Sequence, residues 1–150
     1  MPTDPPRRVI VDTDTAGDDA QALLMAATSD RIELEGVTIC AGNVEFEYEV
    51  ENAKYALELA GATEAVTVYE GAREPLVKDY THAEYVHGEG GLGGDLFPDT
   101  GIDSGSQHAV EYIVETVRDN PGEITLACIA PLTNVAMALR QEPALGELLD

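Results

Sequence analysis

Four carboxylates lie within eight positions near the amino end of the chain, in the run VDTDTAGDDA, at Asp12, Asp14, Asp18 and Asp19. Carboxylates at this density repel one another unless they share a cation, and hard oxygen ligands favour Ca²⁺ or Mg²⁺ over softer metals. As an alternative, Asp18 and Asp19 cap a helix and complement its dipole. The cluster predicts a divalent-cation site at a strand-to-helix turn.

The apolar spacing around this cluster predicts the elements that position it. Residues 8–11 form a short apolar run typical of a buried strand, and the helical spacing of apolar residues after Asp18 predicts a helix. Further strands are predicted over 32–40, 66–69 and 124–129. Later helices present apolar faces formed by Phe46, Val50, Ala53, Leu57 and Ala60, by Ala109, Tyr112, Ile113 and Thr116, and by Leu132, Val135, Ala136 and Leu139. Three acidic residues are predicted to lie off the first of these faces: Glu45, Glu49 and Glu58.

The alternation of strand and helix predicts one α/β domain over residues 1–150. Its expected architecture is a Rossmann-like layered fold with a mostly parallel sheet and helices on both faces. Ligands of such sheets bind outside the carboxyl ends of the strands. Those ends fall at 12–14, 40–43 and 129–131. We therefore expect three separate segments of the chain to converge on one crevice.

The stretch 71–105 shows no sustained periodicity and contains a cluster of glycines between positions 88 and 94. Loops of this length in compact domains are typically functional. No Gly-Lys-Ser/Thr follows the glycines, which argues against a phosphate-binding P-loop. His82 and His108 are expected on the surface, and Cys40 and Cys128 are expected to be buried free thiols, with a disulfide as the alternative.

The charge balance is strongly acidic, with 8 Lys and Arg against 29 Asp and Glu and a formal net charge of −21. This balance argues against nucleic acid and anionic membranes as partners, because both need basic surface. A hydrophobic fraction of 44% predicts a folded chain. Salt screens the self-repulsion of so acidic a protein, so we expect a cytoplasmic protein of a halophile, with an ordinary acidic protein as the alternative.

Four segments, in order along the chain, resemble the motifs of the inosine–uridine preferring nucleoside hydrolases. They are DTDTAGDDA at 12–20, AGN at 41–43, VHGEGGLGG at 86–94 and APLTNVAMAL at 130–139. Thr15–Ala16 stand where the family has Pro-Gly, and Ala130 stands where it has Gly, so backbone conformations that need glycine are expected to change there. The resemblance covers this whole chain but only the amino-terminal half of family members.

The resemblance implies a role for each matching residue. Asp14 would ligate Ca²⁺ and act as general base toward the attacking water, and Asp12 would organise the turn. Asp19 and the backbone carbonyl of Ile129 would be further calcium ligands. The positions that match substrate-binding residues are Asp18 and Asn43, toward the ribose, and His87, near the nucleoside.

The implied activity is Ca²⁺-dependent hydrolysis of the N-glycosidic bond of ribonucleosides to ribose and free base. This reaction passes through an oxocarbenium-like ribosyl cation, which negative charge near the sugar stabilises. Because half of the family's length is unmatched, we expect a second copy or a complementing chain to complete the site. One alternative is a catalytically inactive half-domain that binds metal or ribose. Another is a phosphatase of the haloacid dehalogenase type with Asp12 as nucleophile.

Overall fold

A computed structural model describes residues 5–150 as one parallel sheet flanked by helices. Residues 1–4 of the predicted domain lie outside the described part. The strands are β1 (Arg7–Thr13), β2 (Ile32–Ile39), β3 (Val68–Glu70) and β4 (Ile124–Cys128). The helices are α1 (Gly17–Thr28), α2 (Phe46–Leu59), α3 (Glu84–His87), α4 (Ala109–Asp119), α5 (Thr133–Gln141) and α6 (Leu145–Leu148).

Alternate residues of β1 enter two separate hydrophobic cores. Val9 and Val11 pack on one face of the sheet against side chains of α1 and α2, including Leu23 and Leu57. Ile10 packs on the other face with side chains of α4, α5 and α6. Successive side chains of a strand point to opposite faces, so a strand covered on both faces appears in sequence as a continuous apolar run. The expected Rossmann-like α/β fold is confirmed.

The strand order is β3-β2-β1-β4, and all pairs are parallel. From β1 the chain moves outward to β3 on one side, and it then crosses over to place β4 on the other side of β1. This reversal opens a crevice between the carboxyl ends of β1 and β4, where ligands of such sheets bind. Within residues 5–150, β4 is an edge strand that pairs with β1 alone.

One helix buries a charged residue that its spacing places on the surface. On α2 the predicted apolar residues Phe46, Val50, Ala53 and Leu57 are buried, as expected. The prediction that Glu49 lies off this face is wrong, because its side chain is fully buried. Its carboxylate accepts hydrogen bonds from backbone N–H groups just after β2, which offset the loss of hydration.

The predicted apolar face of α5 points toward solvent rather than into the core. Leu132 is 60% exposed and Leu139 is 42% exposed, whereas Asn134 and Ala138 are buried. The turn before α5 directs Asn134 toward the sheet, where its amide makes hydrogen bonds to side-chain and backbone atoms. An apolar stripe that was expected in the core therefore lies on the surface of the described chain.

The remaining expectations concern the long loop, the cysteines and the histidines. Between 71 and 105 the loop contains one short helix, α3. Both thiols are free, with Cys40 buried and Cys128 partly exposed. His108 is exposed and caps α4 by accepting a hydrogen bond from the N–H of Val110, and His82 is half-buried. In residues 5–150 no helix has the length and apolar character needed to cross a membrane.

Candidate functional site

Hydrogen bonds join the three strand ends that the sequence predicts to converge. At the ends of β1 and β4, the carbonyl of Asp12 accepts from the N–H of Ile129 at 2.9 Å. After β2, the side chain of Asn43 donates from Nδ2 to the carbonyl of Asp14 at 2.9 Å. The three predicted segments therefore meet at the carboxyl edge of the sheet, around the end of β1.

Asp12 is the innermost carboxylate of the site and has no exposed surface. Its Oδ1 accepts from Thr38 Oγ1 at 2.6 Å and from Asn134 Nδ2 at 2.8 Å, while its Oδ2 has no hydrogen-bond partner among the described residues. Burial raises the pKa of this carboxyl group. Asp12 therefore ties β1 to β2 and α5, which fits the organising role implied by the resemblance.

Asp14 follows β1 and is 6% exposed. Its Oδ2 lies against Gly42, where a Cβ atom would come within 2.0 Å of it, so only glycine leaves room for this carboxylate. Burial and the nearby charge of Asp19 raise the pKa of Asp14 to about 7. Burial and crowded negative charge therefore both oppose the ionisation of Asp14.

Asp19 lies in the first turn of α1 and is 5% exposed. Its Oδ2 accepts from the N–H of Ala16 at 3.1 Å and from Asn43 Nδ2 at 3.4 Å, and burial raises its pKa. The capping alternative is therefore partly realised by the same residue that is predicted to bind metal. Ala16 itself has an extended backbone, with φ −113° and ψ −163°, so the family's glycine is not needed at this position.

Asp18 and His87 lie at the rim of the crevice. The side chain of Asp18 is 79% exposed, and its Oδ1 is 4.0 Å from Nδ1 of His87 at the end of α3. The glycine-rich segment after His87 is held against the site by Asn52 of α2, whose Nδ2 donates to the carbonyls of Thr15 (3.0 Å) and Gly90 (2.8 Å). The structure therefore places the predicted substrate-binding side chains around the predicted metal ligands.

Asp14 and Asp19 have the chemistry of a cation site without the full set of ligands. Neither carboxylate has a Lys or Arg partner among residues 5–150, and the negative charge of Asp19 acts on Asp14. A hard divalent cation would relieve this unfavourable charge. Within the same residues no group of three or more His, Cys, Asp or Glu side chains could hold a metal ion. The two carboxylates therefore supply only part of a coordination shell, and the Ile129 carbonyl stays a ligand implied by the resemblance.

Three buried residues of this site are absent from the set of candidates predicted from the sequence. Asn52 joins the first turn of α1 to the glycine-rich segment, and Asn134 joins Asp12 to β2 and the start of the long loop. Glu49 binds the segment that carries Asn43. Asn134 falls inside the APLTNVAMAL motif, which was one available signal. Asn52 and Glu49 sit in an amphipathic helix whose spacing does not mark them.

The fold and the carboxylate crevice define a class of α/β proteins that bind ligands at the carboxyl edge of a parallel sheet. A family model for inosine-uridine preferring nucleoside hydrolases matches residues 9–150. The chain belongs to this family. The buried, doubly hydrogen-bonded Asp12 also argues against the phosphatase alternative, because a nucleophile must reach its substrate.

Curated relatives and solved structures agree with this membership. An uncharacterized protein of Schizosaccharomyces pombe is 42% identical over 137 residues, which are 91% of this chain and 44% of that protein. The pyrimidine-specific ribonucleoside hydrolase RihB of Escherichia coli is 39% identical over 139 residues, 93% of this chain and 44% of RihB. The chain therefore spans less than half the length of these relatives.

Two solved structures superpose closely on the chain. A plant nucleoside hydrolase has a TM-score of 0.87 at 35% identity, with 97% of this chain and 46% of that one covered. The purine-preferring ribonucleoside hydrolase of Gardnerella vaginalis has a TM-score of 0.88 at 31% identity, covering 95% of this chain and 46% of its own. The Rossmann-like layer described above is thus shared with nucleoside hydrolases over nearly the whole of this chain.

Proposed function

We propose that the chain supplies the amino-terminal half of a Ca²⁺-dependent ribonucleoside hydrolase, which splits the N-glycosidic bond to give ribose and free base. The observation that carries this proposal is the pair Asp14 and Asp19, nearly buried and without a Lys or Arg partner among residues 5–150. Membership of the nucleoside hydrolase family supports it. The named relatives include pyrimidine-specific and purine-preferring enzymes, so the proposal specifies the ribose and leaves the base open.

The proposed roles are those that the family resemblance implies. When bound, Ca²⁺ supplies a Lewis acid for the ribose hydroxyls and the attacking water. Asp14, Asp19 and the carbonyl of Ile129 would hold it. Asp14 takes the proton from the water, whose oxygen forms the bond to the ribose carbon as the bond to the base nitrogen breaks. The departing base nitrogen takes up a proton from solvent. Substrate contacts are assigned to Asp18, Asn43 and His87.

Base release from inosine and uridine, measured by chromatography at high salt with Ca²⁺, tests this activity. Asp14→Asn is expected to lower the rate by about 10²–10⁴-fold, the usual contribution of a general base. The matched control is Asp119→Asn, which removes an exposed carboxylate at the end of α4 and is expected to leave the rate unchanged. Equal rates for Asp14→Asn and the parent chain would contradict the assigned role.

The second candidate function is a catalytically inactive half-domain that binds metal or ribose. It is favoured by the short span of the chain relative to RihB, of which it covers 44%. Both candidates predict stabilisation by Ca²⁺, on the order of 2.7 kcal/mol at a hundredfold excess over Kd. A thermal melt with and without Ca²⁺, paired with a reducing-sugar assay, separates them: stabilisation without ribose release identifies the inactive half-domain. In either case, Asp19→Asn is expected to lose the stabilisation that Ca²⁺ gives the parent chain.

We also infer that a further polypeptide surface covers the β4 side of the site. The support is an open strand edge at β4 and exposed apolar side chains of the long loop and of the α5 region, including Leu76, Leu132 and Leu139. Leu76 and Leu132 line a cleft of about 440 Å³ between the 75–81 segment and the start of α5. Open edges and apolar patches of this kind are typical of surfaces that are covered in the working protein.

Sedimentation of the chain at high salt tests this surface. A second copy gives a dimer whose association weakens in Leu132→Ser, whereas a complementing chain leaves the isolated chain monomeric until that chain is added. The control is Met25→Ser, an exposed apolar residue on α1. A monomer that no second polypeptide converts to a complex would contradict the inference.

We propose, finally, that the protein works in a salt-rich cytoplasm, as its net charge of −21 suggests. Screening of self-repulsion is then expected to raise the free energy of unfolding as KCl increases. Urea denaturation over a KCl series measures this. Stability that is independent of KCl would favour an ordinary acidic protein.

A further inference from the structure

Glu49 is a buried acidic residue that none of the proposed catalytic roles uses. It lies in the first turn of α2, and its side chain is fully buried. Its Oε1 accepts from the N–H of Gly42 at 3.0 Å and from the N–H of Val44 at 3.1 Å. The two donors are the neighbours of Asn43, so one carboxylate oxygen holds the backbone on both sides of a residue assigned to ribose binding.

The same short segment is held from its other side by the long loop. The hydroxyl of Tyr80 donates to the carbonyl of Val44, and the N–H of Ala83 donates to the carbonyl of Asn43 at 2.6 Å. Glu49 provides the contacts from the helix side, and the loop provides those from the opposite side. Residues 42–44 are thus fixed between α2 and the loop, although they belong to no helix or strand.

The position of this segment matters for the two groups at the centre of the site. Asn43 donates from Nδ2 to the carbonyl of Asp14 at 2.9 Å, and Oδ2 of Asp14 lies against the α-carbon of Gly42. A shift of 42–44 would therefore move the ribose-binding amide and remove the wall beside the proposed base. Displacement of a catalytic group by about 1 Å lowers the rate strongly, even when the displacement originates away from the reacting groups.

We propose that Glu49 is a positioning residue, which clamps residues 42–44 so that Asn43 and Gly42 stay in register with Asp14. The part that concerns ribose rests on the proposed function. The clamp needs an oxygen acceptor at Oε1, and Oε2 has no hydrogen-bond partner in the described part of the chain. A glutamine keeps the acceptor and replaces Oε2 by an amide group, whereas a methionine keeps the length of the side chain and removes the acceptor.

Amide hydrogen exchange and ¹⁵N-resolved NMR of the chain test the clamp directly. In Glu49→Met, we expect the Gly42 and Val44 amides to exchange at least about tenfold faster and the side-chain amide signals of Asn43 to shift. In Glu49→Gln, we expect rescue of both properties. The control is Leu57→Ala in the same helix, which removes a buried apolar contact without touching 42–44; it is expected to speed exchange across the core without singling out these two amides.

Unchanged Asn43 signals in folded Glu49→Met would overturn the proposal. If that variant fails to fold, the clamp is tested in the parent chain. The measurement is the scalar coupling across each hydrogen bond, between the Glu49 carboxyl carbon and the backbone nitrogens of Gly42 and Val44. Absence of this coupling would contradict the clamp. A titration with D-ribose then measures the consequence for binding. Equal ribose affinity of the parent chain and Glu49→Met would also overturn the proposed clamp. A parent chain that binds no ribose would instead count against the proposed function, and the NMR result alone would then test the clamp.

Discussion

The two ends of strand β1 hold acidic side chains in opposite ways. At the amino end, Arg8 donates from Nε to Glu35 at 2.5 Å and from a terminal nitrogen to Glu123 at 2.7 Å. At the carboxyl end, Asp12 and Asp14 are buried and have no basic partner within residues 5–150. Arg8 neutralises acidic side chains at the amino end, whereas no Lys or Arg within residues 5–150 neutralises those at the carboxyl end.

Under the proposed function, this difference separates acids that stabilise the fold from acids that act in the site, in a chain where 29 residues are acidic. Confining negative charge without a partner lowers stability, and a fold keeps such an arrangement where it is needed for binding or catalysis. The carboxyl end is held in shape by side-chain amides and backbone N–H groups, which compensate the carboxylates without cancelling their charge. Changes at the two ends should therefore have unequal effects.

The largest effect is expected at Asn134. Its Nδ2 donates to Asp12 Oδ1 at 2.8 Å and to the carbonyl of Ile39 at 3.0 Å, and its Oδ1 accepts from the N–H of Ala72 at 2.9 Å. Asn134→Ala should lower the free energy of unfolding by about 3 kcal/mol, because buried partners are left unsatisfied. Urea denaturation measures this, with Asn120→Ala at the amino end as the matched control, expected to cost about 1 kcal/mol. Equal losses in both variants would remove the distinction between the two ends.

The second prediction concerns the pH dependence of stability. Burial raises the pKa of Glu49 to about 8 from its ordinary value of 4.5. Between these values the folded chain keeps a proton that the unfolded chain releases, so the free energy of unfolding falls as pH rises, by up to about 1.4 kcal/mol per pH unit, and levels off above the folded pKa. Glu49→Gln should lose this contribution and gain stability relative to the parent chain as pH rises.

Urea midpoints at about pH 5 and about pH 8 measure this slope. The control is Glu47→Gln on the same helix, because hydrogen bonding to Arg73 lowers the pKa of Glu47. A lowered pKa contributes stability that is lost only as pH falls below the ordinary range, so this variant should leave the slope between pH 5 and pH 8 unchanged. If Glu49→Gln has the same slope as the parent chain, Glu49 is already ionised in the folded chain between pH 5 and pH 8, which would contradict the raised pKa.

A smaller effect is expected from the paired end of β1. Arg8 and Glu35 are 28% and 18% exposed, so their ion pair is partly shielded from water. Arg8→Gln should lower the free energy of unfolding by about 1–2 kcal/mol at low salt, and by less at high salt, where screening weakens the pair. Denaturation at two KCl concentrations measures the difference. A loss that does not depend on salt would point to packing of the arginine side chain rather than to its charge.

The smallest effect is expected at Arg7, whose pair with Asp150 at 2.9 Å is exposed on both sides. Exposed ion pairs contribute little, so Arg7→Gln should change the free energy of unfolding by less than about 0.5 kcal/mol. Comparison with Arg8→Gln in the same urea series tests whether burial, rather than the presence of a pair, sets the contribution. A larger loss at Arg7 than at Arg8 would reverse this interpretation.

The sheet could be predicted from the sequence because local patterns dictate it. The apolar run at Val9–Val11 and the carboxyl-end positions of Asp14 and Asn43 follow from strand and helix periodicity and from the general geometry of parallel sheets. The strand order could not be derived this way, because no local pattern says that β4 crosses to the far side of β1.

The polar framework of the site was less predictable. Glu49 was expected off the apolar face of α2, because helical spacing assumes that a charged residue stays hydrated, whereas backbone N–H groups from another segment replace its water. Leu132 and Leu139 were expected in the core, yet they are exposed in the described chain. Apolar spacing shows that a face needs covering without showing which surface covers it.

The hydrogen bond between Asn134 and Asp12 has a consequence for how the site comes into being. It joins residues 122 positions apart, and the bond from Thr38 to the same carboxylate spans 26 positions. Contacts so distant along the chain form only after long loops have closed, which slows the folding of parallel sheets. While the chain is still being synthesised or is partly unfolded, the aspartates are separate, hydrated acids. The cation affinity proposed for them would thus be acquired late, and only by chains that have completed the sheet.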